Sequence, residues 1–176
     1  MSPRRADKRS GHTTMSMGRW MFVLAGFLLF CAVMLVIFVR SVNAGYRADE
    51  QHAIAVAKEQ SGLTEVDEAV QYTWEEPVWV VRGRDGNNQT WFVWERKDGI
   101  LKKQENGNYS EAQIRERFSA EHPTAQSIRV VPGWFDNRPV WEFRYEDLAD
   151  GNQRPSISFY SFEDGTLLNT YVLPGY

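Results

Sequence analysis

Beyond its apolar N-terminal stretch the chain has no cysteine: its one thiol, Cys31, lies inside that stretch. Disulfides, thiolate metal sites and thiol nucleophiles are therefore excluded from everything that follows, and packing alone must hold the remainder together. Histidine is nearly as scarce. His12 precedes the stretch, while His52 and His122 belong to separate expected helices. They make a poor metal or acid–base pair and are expected as solvated surface side chains. No Gly-x-Ser-x-Gly elbow, phosphate-cradling glycine loop or calcium loop occurs. The adjacent carboxylates Glu75-Glu76 and Glu163-Asp164 would point to opposite faces of a strand, so neither pair converges on one glycosidic bond. They are read as turn and rim charges. No catalytic residue, metal ligand or cofactor site is expected, and the chain is read as a non-enzyme.

Charge is missing in one place above all. Residues 20–39, from Trp20 to Val39, contain no charged side chain and are closed by Arg19 and Arg40. A helix of that length spans roughly 30 Å, the thickness of a bilayer's hydrocarbon layer. Arg4, Arg5, Lys8 and Arg9 oppose a single Asp7 ahead of it, which predicts a cytoplasmic N-terminus and an exported C-terminal part. A cleaved signal peptide competes, since Val42-Asn43-Ala44 has the small residues of a cleavage site. The run is longer than a signal core and is followed by Arg40, so the expectation is a retained single-pass anchor. The large neighbours Leu28, Leu29 and Phe30 set aside a lipid-modified Cys31.

From Arg40 onward the chain has 15 basic and 22 acidic side chains, a balance of −7. That disfavours nucleic acid and other polyanions as partners. Six of the seven tryptophans lie beyond residue 70, a large apolar payload that calls for a packed domain rather than a disordered stalk.

This part is written twice. Pro77-Val78-Trp79 returns as Pro139-Val140-Trp141, Asp85-Gly86-Asn87 as Asp150-Gly151-Asn152, and Asp98-Gly99 as Asp164-Gly165. Arg82 and Arg144 correspond, each three residues past its tryptophan. The expected fold class is α+β: a transmembrane helix, then two tandem units, each a helix packed on a four-stranded antiparallel meander. The segments are 1–19 (cytoplasmic tail), 20–39 (membrane helix), 40–105 (first unit) and 106–176 (second unit). The first unit's helix is expected over 46–61, with Gly62 as its left-handed terminator and Tyr46, Ala53, Ile54 and Ala57 on one side. The second starts at Ser110, where Gln113 completes a capping box, buries Ile114 and Phe118, and ends before Pro123. Strands are expected over 66–74, 78–84, 90–96 and 101–104, then 126–134, 140–146, 156–162 and 167–173. Each Asp-Gly marks a hairpin.

Alternation assigns the faces. Trp141, Phe143 and Tyr145 point toward the second helix, and Glu142, Arg144 and Glu146 away from it. Trp79, Val81, Trp91 and Val93 do the same for the first. The first unit's opposite face, Val78, Val80, Phe92 and Trp94, is apolar as well, which a half-buried sheet does not explain. Three covers fit: the second unit, another protein docking there, or loops. These four side chains are thus the candidate partner-contact residues. Arg82 and Arg144, which could grip a carboxylate, are read as paired surface residues.

The apolar run, Ala55-Val56-Ala57-Lys58, Gly83, Trp91-Phe92-Val93-Trp94, Pro139-Val140-Trp141-Glu142 and Tyr160-Ser161-Phe162-Glu163-Asp164-Gly165 together resemble the TseB-like cell-wall elongation regulators of Gram-positive bacilli. The resemblance spans about residues 18 to 173. It implies PepSY-like domains of cystatin-like shape in a non-catalytic membrane protein that docks on a penicillin-binding transpeptidase or another wall-elongation protein and uses no cofactor. The tail before Arg19 departs most from that pattern. An extracytoplasmic peptidase inhibitor or ligand sensor is the alternative, and it would need an aromatic-lined groove between the units.

Overall fold

The computed structural model describes residues 17–149 and 152–174. The chain divides into two compact units, Met1–Tyr46 and Arg47–Tyr176. One helix, α1 (Met17–Ser61), supplies the described part of the first unit and the opening of the second. Two helices were expected where one runs. The connecting residues 40–45 contain no proline to interrupt the i→i−4 ladder, and the lone Gly45 costs only ~1 kcal/mol against alanine. The apolar run inside α1 is exposed throughout and, by length and composition, suffices to cross a membrane. Most of the expected cytoplasmic tail lies outside the described residues.

In the second unit α1 ends where Gly62 takes φ +67°, and the Gly62 N–H donates to Lys58 O at 3.1 Å. A residue with a Cβ is disfavoured in that conformation, so the sequence stops the helix there. Four strands follow as an antiparallel meander: β1 (Glu65–Thr73), β2 (Pro77–Arg84), β3 (Thr90–Arg96) and β4 (Gly99–Gln104). Helix α2 (Glu111–Glu121) starts on Ser110, whose capping box with Gln113 forms as the spacing predicts. A second meander closes the unit: β5 (Gln126–Phe135), β6 (Arg138–Ala149), β7 (Asn152–Ser161) and β8 (Leu167–Val172).

Two apolar clusters position these layers. Ala53 and Ala57 of α1 lie on Val81 and Val93, flanked by Trp79 and Trp91; methyl side chains let the helix sit close to the sheet. Ile54 is half-buried and Tyr46 largely exposed. The larger cluster joins Val78, Val80, Phe92 and Trp94 of the first sheet to Trp141 and Phe143 of the second and to Phe162 just past β7, and Ile114 and Phe118 of α2 belong to it as well. The two meanders therefore share one interior, and residues 47–176 form a single compact unit.

Turns follow the local chemistry. Asp85-Gly86, Asp98-Gly99 and Asp164-Gly165 connect strands as expected; Asp150-Gly151 lies outside the described residues. β5 and β6 are joined by Asp136-Asn137, both at positive φ (49° and 56°), the conformation of a tight two-residue hairpin.

Two turn carboxylates sit below the usual range. Asp85 is lowered first by the Gln89 N–H, which outweighs the opposing desolvation, and further by the Trp91 indole and the Asn87 N–H. Asp164 is lowered by the N–H and hydroxyl of Thr166. A carboxylate whose folded pKa lies below its unfolded value, about 3.9 for aspartate, contributes fully above that value. The contribution is lost as pH falls through the folded pKa. The melting temperature of the detergent-purified chain should therefore decline below about pH 4, and less steeply in a D85N/D164N double variant. Identical acid slopes would show that the turns contribute none of it.

Candidate interaction surface

Val78, Val80, Phe92 and Trp94, the candidate contact residues, are 0–2% exposed. Phe92 meets the ring of Phe162 at 5.1 Å and that of Trp141 at 5.5 Å, and Trp94 meets Phe162 at 4.9 Å. The Trp94 indole N–H donates to Gly133 O at 2.9 Å. Of the three covers that alternation allowed, the second sheet is the one present. In the folded chain these four side chains offer no surface to another protein.

Arg82 and Arg144 each pair with carboxylates. Arg82 Nη2 stands 3.3 Å from Glu105 Oε1, and its guanidinium lies over the Phe92 ring. Arg144 Nε donates to Glu142 Oε1. Glu142 departs from the sequence reading: alternation points it outward, yet it is fully buried. Tyr72, arriving from β1, closes over it and donates its phenol to Glu142 Oε2 at 2.7 Å. Burial, reinforced by that hydrogen bond and the Glu142 charge, pushes the Tyr72 phenol far above its ordinary value. A carboxylate is tolerated there because Arg144 and Tyr72 both satisfy it.

His122 also differs from the expected solvated residue. It caps α2, its ring stacks on Phe118 at 4.6 Å, and Nδ1 lies 3.4 Å from Asp147. His52 is exposed, as read. Glu75 accepts from the Asp136 N–H, and Glu163 pairs with Lys103 at 2.7 Å. Both are rim charges. Among the described residues no cluster of histidine, cysteine or carboxylate side chains could hold a metal ion.

The accessible apolar surface lies elsewhere, on the second sheet. Among the described residues beyond Tyr46, the exposed large apolar side chains are Ile128 in β5, Leu148 in β6, Leu167, Tyr171 and Val172 in β8, and Leu173 just after it. On the face turned away from α2, buried Phe159 forms the floor of an aromatic group. Phe135 stacks on it at 4.3 Å, and Trp74 and Tyr171 meet it edge-on at 5.1 and 6.0 Å. Trp74 reaches this face from the β1–β2 turn and also touches Tyr171. The sequence carried the signal: in residues 157–162, Ile157 and Phe159 alternate with Ser158 but adjoin Tyr160 and Phe162 of the opposite face, marking a sheet apolar on both sides.

Comparison with known proteins agrees with this architecture. Residues 52–94, from the end of α1 through β3, match the family described as the Cell wall elongation regulator TseB-like domain. A protein of Bacillus subtilis (strain 168) described as "Probable cell wall elongation regulator TseB" is 27% identical over 146 residues, covering 80% of this chain and 89% of that protein. The solved structure of the YpmB protein from Bacillus subtilis superposes with a TM-score of 0.61 at 25% identity, covering 70% of this chain and 97% of that one.

Proposed function

From its similarity to the TseB-like cell-wall elongation regulators, we propose that this chain is a non-catalytic, membrane-anchored regulator of wall synthesis. It is held by the apolar run of α1 with its N-terminus in the cytoplasm, and its two PepSY-like, cystatin-like lobes (40–105 and 106–176) lie outside the membrane. There it docks on a penicillin-binding transpeptidase. A tether concentrates such a module beside membrane-bound synthases, so a weak contact suffices to regulate.

One observation carries the docking reading: on the second sheet, Phe135, Trp74 and the exposed Tyr171 gather over the buried ring of Phe159. Partly exposed aromatic rings on a rigid floor are the usual anchors of protein contacts. The inhibitor reading needed an open groove between the lobes, and a packed aromatic interior stands there instead.

Crosslinking in intact membranes should recover a transpeptidase labelled by a fluorescent penicillin. Replacing Tyr171, which is 38% exposed, by glutamate should cut that recovery on the order of tenfold while near-UV dichroism stays native. Undiminished recovery by the folded variant would remove the aromatic face from the contact, and no recovery by the wild type would remove the transpeptidase.

A further inference from the structure

β8 is an edge strand. In the order β5-β6-β7-β8 it pairs with β7 on one side, and among the described residues no strand lies on the other. The Leu173 N–H donates to Pro155 O at 2.8 Å, and the register sets Tyr171 opposite Ile157 and Asn169 opposite Phe159. Hydrogen-bonding residues alternate along an antiparallel ladder, so Leu173, Tyr171 and Asn169 turn their backbone groups to β7. Val172 and Thr170 turn theirs away. The Thr170 N–H is met by the side chain of its neighbour, Asn169 Oδ1, at 2.8 Å. Such an open row is a template for another strand, and natural edges are commonly blunted by lysine or proline. From Leu167 to Leu173 there is neither, nor any charge.

We propose that this edge is the seam at which two copies of the chain join, β8 against β8 in antiparallel fashion, so that two four-stranded sheets continue as one of eight. The segment is complementary to itself. With Thr170 on the two-fold axis, Leu167 opposes Leu173, Leu168 opposes Val172, and Asn169 opposes Tyr171 of the second copy. Apolar side chains meet apolar ones at both ends and polar groups meet in the middle. Shifting the register by one step sets Thr170 against Val172 and Asn169 against Leu173, which mixes them. A two-fold contact requires one surface to fit its own copy, whereas a foreign strand would impose no such symmetry. Charge leaves the seam free to form. The part of the chain beyond the apolar run carries −7, so two copies repel over most of their surface, while the seam brings no like charges opposite each other. The irregular register near Leu168 confines the straight part of the seam to the pairs around Thr170. The inference draws on the tethered reading only for local concentration and is independent of any wall-synthesis partner.

The test uses the full-length chain in membranes, with Cys31→Ser to remove the native thiol and Thr170→Cys as the reporter. Hydrogen-bonded residues opposite each other in an antiparallel pair have Cα atoms about 5.5 Å apart, within disulfide range. Mild oxidation should give a covalent dimer several-fold above that of a collision control carrying Glu116→Cys on the exposed side of α2. Adding Val172→Lys, at a position 55% exposed, should lower the yield at least fivefold without disturbing near-UV dichroism. A dimer yield no greater than the control, a yield indifferent to Val172→Lys, or a crosslink to a protein of another mass in place of the dimer would each overturn the seam. A chain that dimerises but captures no transpeptidase leaves the seam standing and removes the proposed partner alone.

Discussion

Replacing Trp94 by alanine is expected to destabilise both sheets together, by about 3–5 kcal/mol from the lost side chain alone. Trp94 is fully buried on β3, packs on Phe162 just past β7, and donates its indole N–H to Gly133 O. The truncation opens a cavity between the sheets and strips a buried carbonyl of its donor, which adds roughly 1–3 kcal/mol. Against a typical total of about 5–15 kcal/mol, that approaches loss of the fold. Trp94→Phe keeps most of the packing and should cost nearer the hydrogen-bond term. Urea unfolding followed by hydrogen exchange discriminates the outcomes. A shared interior predicts that amides of β2, β3, β6 and β7 lose protection in one transition with a lowered midpoint. Protection lost in β1–β4 while β6 and β7 stay closed would mean two independent domains.

The elements were legible because each is specified locally. Ser110 and Gln113 place the start of α2 to the residue, and Asp-Gly steps separate runs of β-branched and aromatic residues. What was not legible depends on which surface meets which. Alternation showed that Val78, Val80, Phe92 and Trp94 are covered, yet it carries no information on whether the cover comes from the same chain or another. Glu142 illustrates the same gap. Its parity is outward, but a tyrosine 70 residues earlier folds over it and supplies the hydrogen bond that burial demands. His122 sits where a helix ends, a position that sequence reads as solvent-facing, and stacking on Phe118 draws it inward. The aromatic face around Phe159 had a readable signal in the two-sided strand of residues 156–162. What makes it a cluster is Trp74, brought from the first meander only by the tertiary fold.

Two glycines three residues apart should respond to alanine with opposite signs. Gly83 stands opposite Val66, where β1 carries an irregular register before Glu68. A Cβ built on it would lie 2.3 Å from Glu65 O and 3.2 Å from Val66 Cα, both backbone atoms. No rotamer change relieves that overlap; the β1–β2 pair must part. Overpacking of this kind costs about 1–3 kcal/mol when side chains can yield, and more when only backbone can. Gly86, in the following turn, meets nothing nearer than Thr64 Cγ2 at 4.0 Å, and its backbone is not in the left-handed region. Alanine there narrows the unfolded ensemble and should stabilise by about 0.4–1 kcal/mol. Gly83→Ala should therefore lower the melting temperature by several degrees, and Gly86→Ala should raise it slightly. The Gly83 strain also reaches beyond its own strand pair. Leu63 Cδ1 lies 3.1 Å from the same Cβ, and Leu63 belongs to the cluster that seats Ala53 and Ala57 of α1 on the first sheet. Hydrogen exchange of Gly83→Ala should accordingly show its largest loss of protection in the last turns of α1 and in β1. Loss confined to the β2–β3 turn would place the strain elsewhere than at the β1–β2 approach.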